Sequence, residues 1–287
     1  MAKKIKKSIN EMSFLDHLEE VRWLLVRSTI VILITATIVF FISDWIFDTI
    51  IFGPTRVSFV TYTAMCELSN YVGFADSICV TELPFIIQNT DMEGQVNILV
   101  WICIVAGFII AFPYILWELW RFISPALYPK ERKHAKLFIF IASLLFFLGV
   151  LFGYYVVIPM SVNFFASFKV SDVVKNQFTL DSYISMIKTS VIASGLFFEL
   201  PIIIFFLTKL GLVTPAFLRK YWKWAVVIIL IVAAIVTPPD VVSQLLVAIP
   251  MLIIYEASIF ISKWVYKQRL KDELKEKLAN TNPTSNE

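Results

Sequence analysis

The sequence predicts an all-α, polytopic membrane protein with six transmembrane helices and both termini cytoplasmic. Three observations predict it. No charged residue lies between Glu93 and Glu118 or from Leu137 to Phe168, and each run exceeds the roughly 18–20 residues that a helix needs to cross lipid. The 287 residues are 59% hydrophobic and only 16% charged, with a mean hydropathy of +0.78, whereas soluble domains are closer to about a quarter charged. Lys and Arg gather on alternate connecting segments, which orients a bundle in the bilayer.

The first span runs from about Trp23 to Ile42, with Arg27 able to snorkel to the inner surface. The second covers about Val96 to Trp117 and the third about Leu137 to Ile158, whose uncharged run continues past Pro159. The fourth, about Ser185 to Thr208, holds Glu199 near its middle, with Lys188 at its start. The fifth runs only from Trp224 to Thr237 before Pro238 and Pro239 stop it. At about 1.5 Å per residue it reaches about 21 Å, short of a hydrocarbon core about 30 Å thick. The sixth covers about Val242 to Ile261, with Pro250 inside it.

Residues 1–27 hold six Lys and Arg, residues 120–136 five, residues 209–223 four, and the tail from Lys263 six. The opposite segments hold three: Arg56, Lys169 and Lys175. That asymmetry puts both termini in the cytoplasm. Outside lie the long segment 44–95, the segment 159–183 and the tight turn Thr237-Pro238-Pro239-Asp240. No internal repeat of the transporter kind is present. One membrane domain is expected over residues 1–266, and residues 267–287 read as a charged tail, helical from Lys267 to Leu278 and then disordered.

Composition excludes several classes. A net charge of +3 with no basic stripe gives no nucleic-acid footprint. Two histidines and three cysteines without close spacing offer no metal cluster. There is no GxGxxG, phosphate loop or GxSxG, and no cofactor is expected. A long stretch containing Arg22 separates Lys7 from the first apolar run, so no cleaved signal peptide is expected.

Four places hold residues able to carry chemistry. Glu199 lies eleven residues from Lys188 and ten from Lys209, close to the bilayer centre, where an ionisable group is costly and marks function by default. It is either a protonated acid bonded to the backbone freed by Pro201 or to a neighbouring span, or else a polar docking point for a partner helix or substrate. Glu256 lies near the inner surface, within reach of Lys263 or Arg27, and reads as structural. On the cytoplasmic side, Glu19-Glu20 begin the first span and Glu131 lies between spans two and three. Carboxylates suit bidentate guanidinium recognition. The competing reading pairs them with Arg22, Arg121 or Arg132 as surface salt bridges. Cys66 and Cys79 share the first outer segment, where an oxidising compartment would favour a disulfide over two free thiols. Cys103, inside span two, is expected free.

In order along the chain stand His17-Leu18-Glu19-Glu20-Val21-Arg22, Gly53-Pro54, Phe122 through Arg132, Phe198-Glu199-Leu200-Pro201, and Thr237-Pro238-Pro239-Asp240 with Ser243-Gln244. On six spans, this collinear set resembles TatC, the polytopic core of the twin-arginine protein translocase, from Phe14 to about Tyr266. The resemblance implies a glove-shaped, non-enzymatic receptor in the cytoplasmic membrane that binds signal peptides carrying paired arginines. It implies TatA- and TatB-type single-span partners, self-association, and export driven by the proton-motive force. It implies signal binding by Glu20, Arg22, Phe122 and Glu131, an intramembrane role for Glu199, and a polar partner-docking cluster with Thr237 and Gln244. Two features depart from the family's usual pattern: Trp23-Leu24 follow Arg22 where a second basic residue is usual, and the first outer segment is longer. The alternative is an ion-coupled transporter with Glu199 as proton carrier and Pro113, Pro201 and Pro250 as helix breaks; the missing repeat counts against it. A substrate-free scaffold is the third reading.

Overall fold

A computed structural model describes residues 14–72, 79–80, 82–124, 135–171, 173, 175–237 and 241–281. Glu131, Arg132 and the Pro238-Pro239-Asp240 turn lie outside the described residues, as does the stretch 282–287 expected to be disordered. In chain order come α1 (Phe14–Phe41), α2 (Val60–Val72), β1 (Ile86–Gln88), α3 (Gly94–Ile123), α4 (Ala135–Phe152), α5 (Ile158–Ser167) and β2 (Gln177–Thr179). Then follow α6 (Leu180–Phe198), α7 (Leu200–Lys209), α8 (Pro215–Lys220), α9 (Trp222–Val236) and α10 (Val241–Thr281). Among the described residues five helical stretches are long and apolar enough to cross a membrane, and the helix Trp222–Val236 is apolar but shorter.

The boundaries refine the expectation. Span four begins at Leu180, not Ser185, so Lys188 sits two turns inside it, its ammonium 5.4 Å from the centre of the Trp101 ring. A long aliphatic stem beside an aromatic face lets a lysine start deeper than charge counting suggests. Span three continues through a π turn at Gly153–Val157 into α5. Span six and the tail form one helix to Thr281. Pro113 and Pro250 lie inside unbroken helices, so they are not breaks. The outer segments hold secondary structure that no apolar run in the sequence predicts. It comprises α2 and a two-stranded parallel sheet in which Ile86 faces Gln177.

The chain divides into two compact units. The first comprises Met1–Gly53, Ile86–Phe147 and Gln177–Lys188. Its centre is the antiparallel pair α1 and α3. Gly107 makes the close approach possible, since a Cβ there would fall 2.7 Å from the backbone nitrogen of Ala36. Thr35 Oγ1 lies 2.9 Å from the carbonyl oxygens of both Gly107 and Val31. Phe112 stacks on Phe146, bringing α4 against α3. Tyr183 donates to the carbonyl of Ile51 at 2.6 Å, tying α6 to the end of the first span.

The second unit comprises Pro54–Phe85, Leu148–Asn176 and Thr189–Glu287. Its core includes Val157, Ile204, Ile229, Val247 and Met251. Gly149 and Gly153, four residues apart, lie against small residues of α6. A Cβ at Gly149 would come 2.6 Å from the carbonyl of Ser194, and one at Gly153 2.8 Å from that of Ser190. This is the small-xxx-small packing that replaces hydrophobic drive between helices in lipid. In the outer segment, Cys66 and Cys79 are joined by a disulfide, whereas Cys103 is free and buried. Buried Tyr62 lies 3.0 Å from the carbonyl of Pro54 and 3.1 Å from that of Pro159, and burial pushes its phenol pKa up.

Candidate functional site

The inner ends of α1 and α3 hold the first candidate. Their antiparallel register pairs Ala36 with Gly107 and Arg27 with Glu118. The Glu118 side chain is only 4% exposed. It accepts from Arg27 Nη1 at 3.4 Å and from the Tyr114 hydroxyl at 3.0 Å, with Arg121 Nη1 at 3.9 Å. A buried carboxylate requires such partners. Glu118 was missed in the sequence because it marks the end of an uncharged run, and its partner Arg27 lies 91 residues away.

Glu20 lies seven residues before Arg27, two turns further along α1 and about 10.5 Å along its axis. It is exposed, with no ion pair among the described residues. The expected competition by nearby arginines takes another form. Arg22 packs over its neighbour Trp23, 5.9 Å from the ring centre, Arg27 turns to Glu118, and Arg121 also lies nearest Glu118. The same register places Glu20 level with the end of α3, where half-buried Phe122 lies. From there the chain enters residues 125–134, which include Glu131 and lie outside the described region.

Glu199 stands at the junction of α6 and α7, and the residue is 5% exposed. Pro201 has no N–H to continue the α6 ladder. The chain instead re-forms a helix with Ile202 and Ile203 donating to the Glu199 carbonyl at 3.0 Å. The carboxyl oxygen Oε1 is buried and has no hydrogen-bond partner among the described residues. The bland expectation of a backbone-bonded acid therefore does not describe that oxygen. Ser194 Oγ, five residues earlier on α6, also has no partner among the described residues.

Thr237 and Gln244 use donors within their own unit. Thr237 Oγ1 donates to the carbonyl of Ala233 at 2.8 Å, and Gln244 Nε2 to that of Leu230 at 3.0 Å. The second bond ties α10 to α9 beside the turn. Glu256 corrects an expectation: its Oε1 accepts from Arg219 Nη1 at 3.0 Å and from the Trp222 indole, not from Lys263 or Arg27. Lys263 is two turns further along the helix, whereas α8 folds Arg219 alongside.

Long apolar helices with close small-residue packing define a multi-pass helical membrane protein, and it holds the buried acids Glu118 and Glu199. The family model for the Sec-independent protein translocase protein (TatC) matches residues 16–250. The TatC protein of Blattabacterium sp. subsp. Periplaneta americana is 41% identical over 266 residues, covering 92% of this chain and all of the relative. TatCy of Bacillus subtilis is 31% identical, covering 92% of this chain and 93% of its own. Two crystal structures of a twin-arginine translocase receptor TatC superpose with TM-scores of 0.65 and 0.68 at 33% identity. They cover 87% and 86% of this chain and 99% of theirs. The chain belongs to the TatC family and is a core subunit of the twin-arginine translocase. The family match does not favour the ion-coupled transporter.

Proposed function

We propose that this chain is the signal-peptide receptor of a bacterial cytoplasmic-membrane translocase, with Glu20 and Glu131 receiving the two arginines and Arg22 and Phe122 shaping the same patch. Residues 1–266 act as one membrane domain and 267–287 as its cytoplasmic tail. The protein catalyses no reaction of its own. It works with TatA- and TatB-type single-span partners and further copies of itself, and the proton-motive force drives export. Glu199 offers a polar contact inside the membrane, and Thr237 and Gln244 set the short helices beside which partner helices dock.

The observation that carries this reading is the state of Glu20. It is an exposed carboxylate at the basic end of the first span, and among the described residues Arg22, Arg27 and Arg121 are engaged elsewhere. Two adjacent guanidinium groups call for two carboxylates. Hydrogen bonds to charged groups contribute roughly 1.5–3 kcal/mol each, a large share of the about 8 kcal/mol of a micromolar complex. The test is photocrosslinking of a twin-arginine signal peptide to membranes containing Glu20→Lys or Glu131→Lys. Either change is expected to abolish the crosslink while the chain remains inserted. Undiminished crosslinking in both variants would remove the site.

A further inference from the structure

We infer that the groove between α3 and α4 is a binding site for an anionic phospholipid of the inner leaflet, with one acyl chain in the groove and the phosphate held by Lys136 and Arg121. The groove encloses about 520 Å³ within the first unit. Pro113 and Trp117 of α3 form one wall, and Ile139, Phe140, Leu144 and Phe147 of α4 form the other. Ser143 also lines it, but its hydroxyl donates to its own helix at the carbonyl of Ile139, 2.8 Å away, and is not free for a polar ligand. The interior therefore suits hydrocarbon.

The mouth has the opposite chemistry. Lys136, in the first turn of α4, lines the groove there, is exposed, and has no ion pair among the described residues. Arg121 lies one turn beyond Trp117 on α3, on the helix face that begins with Pro113 and Trp117. Its side chain is 61% exposed, and its ion-pair neighbour among the described residues, Glu118, is 3.9 Å away and already bonded by Arg27 and Tyr114. Two cations above an apolar cleft, with a half-exposed indole at the level of the headgroups, match an acidic phospholipid. The same cations oppose a signal peptide carrying arginines.

The test uses the full-length protein in nanodiscs containing phosphatidylglycerol or phosphatidylcholine with brominated acyl chains. Quenching of Trp117 is read as the difference between the unaltered chain and Trp117→Phe. Brominated phosphatidylglycerol is expected to quench that component at least threefold more effectively at equal mole fraction. The Lys136→Gln/Arg121→Gln variant, changed only at exposed side chains, is expected to bring the two lipids level. Soluble glycerol phosphate in excess is expected to leave the preference intact. Equal quenching by both lipids in the unaltered chain would overturn the site, as would a preference that survives the double substitution. Competition by glycerol phosphate would reduce it to a free-phosphate site, and release of quenching by a twin-arginine peptide would assign the groove to peptide. Either result overturns the lipid reading.

Discussion

Arg27 of α1 and Glu118 of α3 stand 3.4 Å apart although 91 residues separate them in the chain. The pair sits nine residues from the Ala36–Gly107 approach on α1 and eleven on α3, so together the two contacts fix the antiparallel register. Breaking the pair leaves Glu118 buried with Tyr114 and the more distant Arg121. Arg27 is 41% exposed, so solvent screening tempers the effect. We expect Arg27→Met to destabilise the purified protein by about 1–2 kcal/mol, in keeping with a hydrogen bond to a charged group. The exchange Arg27→Glu/Glu118→Arg should recover part of the loss. Unfolding midpoints in detergent would check this, and a midpoint unchanged in Arg27→Met would make the pair dispensable.

The approach of α4 to α6 depends on Gly149. A side chain there meets backbone, since its Cβ would lie 2.6 Å from the carbonyl of Ser194 and 2.9 Å from the Cα of Gly195. Backbone cannot rotate aside as a flexible side chain can. Gly149→Val is therefore expected to cost about 1–3 kcal/mol, the usual range for overpacking, and Gly149→Ala less. The same unfolding assay would show it, and equal midpoints for the glycine and valine forms would contradict the packing.

How much of this was legible depended on whether the signal was local. Spans were readable because each is a contiguous apolar run, and the short α9 because Pro238 and Pro239 follow it directly. Gly149-Val150-Leu151-Phe152-Gly153 is a GxxxG pattern, a local signal of close helix packing that the sequence carries. The β1–β2 pairing, Ile86 against Gln177, could not be read. Each strand is three residues long, and its partner is supplied only by the fold. Glu118 and Glu256 had visible charges, but their partners Arg27 and Arg219 are set by helix register and by the placement of α8. Of the two carboxylates proposed for the signal, the fold locates Glu20, and Glu131 lies outside the described residues.

The outer disulfide has a simple consequence. With Cys66 and Cys79 joined and Cys103 free, denatured protein prepared without reductant should show one reactive thiol per chain, rising to three after reduction. The bridge closes a sequence separation of 13 residues, for which the chain-entropy estimate is about 3 kcal/mol. Cys66→Ser should therefore make the outer segment more susceptible to added protease than in the unaltered chain. Three thiols before reduction would contradict the bridge.

Glu199 is expected to act through polarity more than charge. Its residue is 5% exposed, its Oε1 has no hydrogen-bond partner among the described residues, and it lies between Lys188 and Lys209 near the middle of the fourth span. A buried polar atom left without a partner costs on the order of 1–3 kcal/mol, and in lipid water does not supply one. A donor arriving from a partner helix or an incoming signal peptide would recover that energy, which ties the cost to assembly. Glu199→Gln keeps a carbonyl oxygen and adds two donors in the same volume, so it should retain part of export. Glu199→Leu removes the unsatisfied atom altogether, so it should leave the isolated protein as stable or more stable while lowering export strongly. Export of a folded twin-arginine reporter, measured beside unfolding of the purified variants, separates the two effects. Full export by Glu199→Leu would leave Glu199 without a role in translocation, and a large loss of stability in that variant would make its role structural.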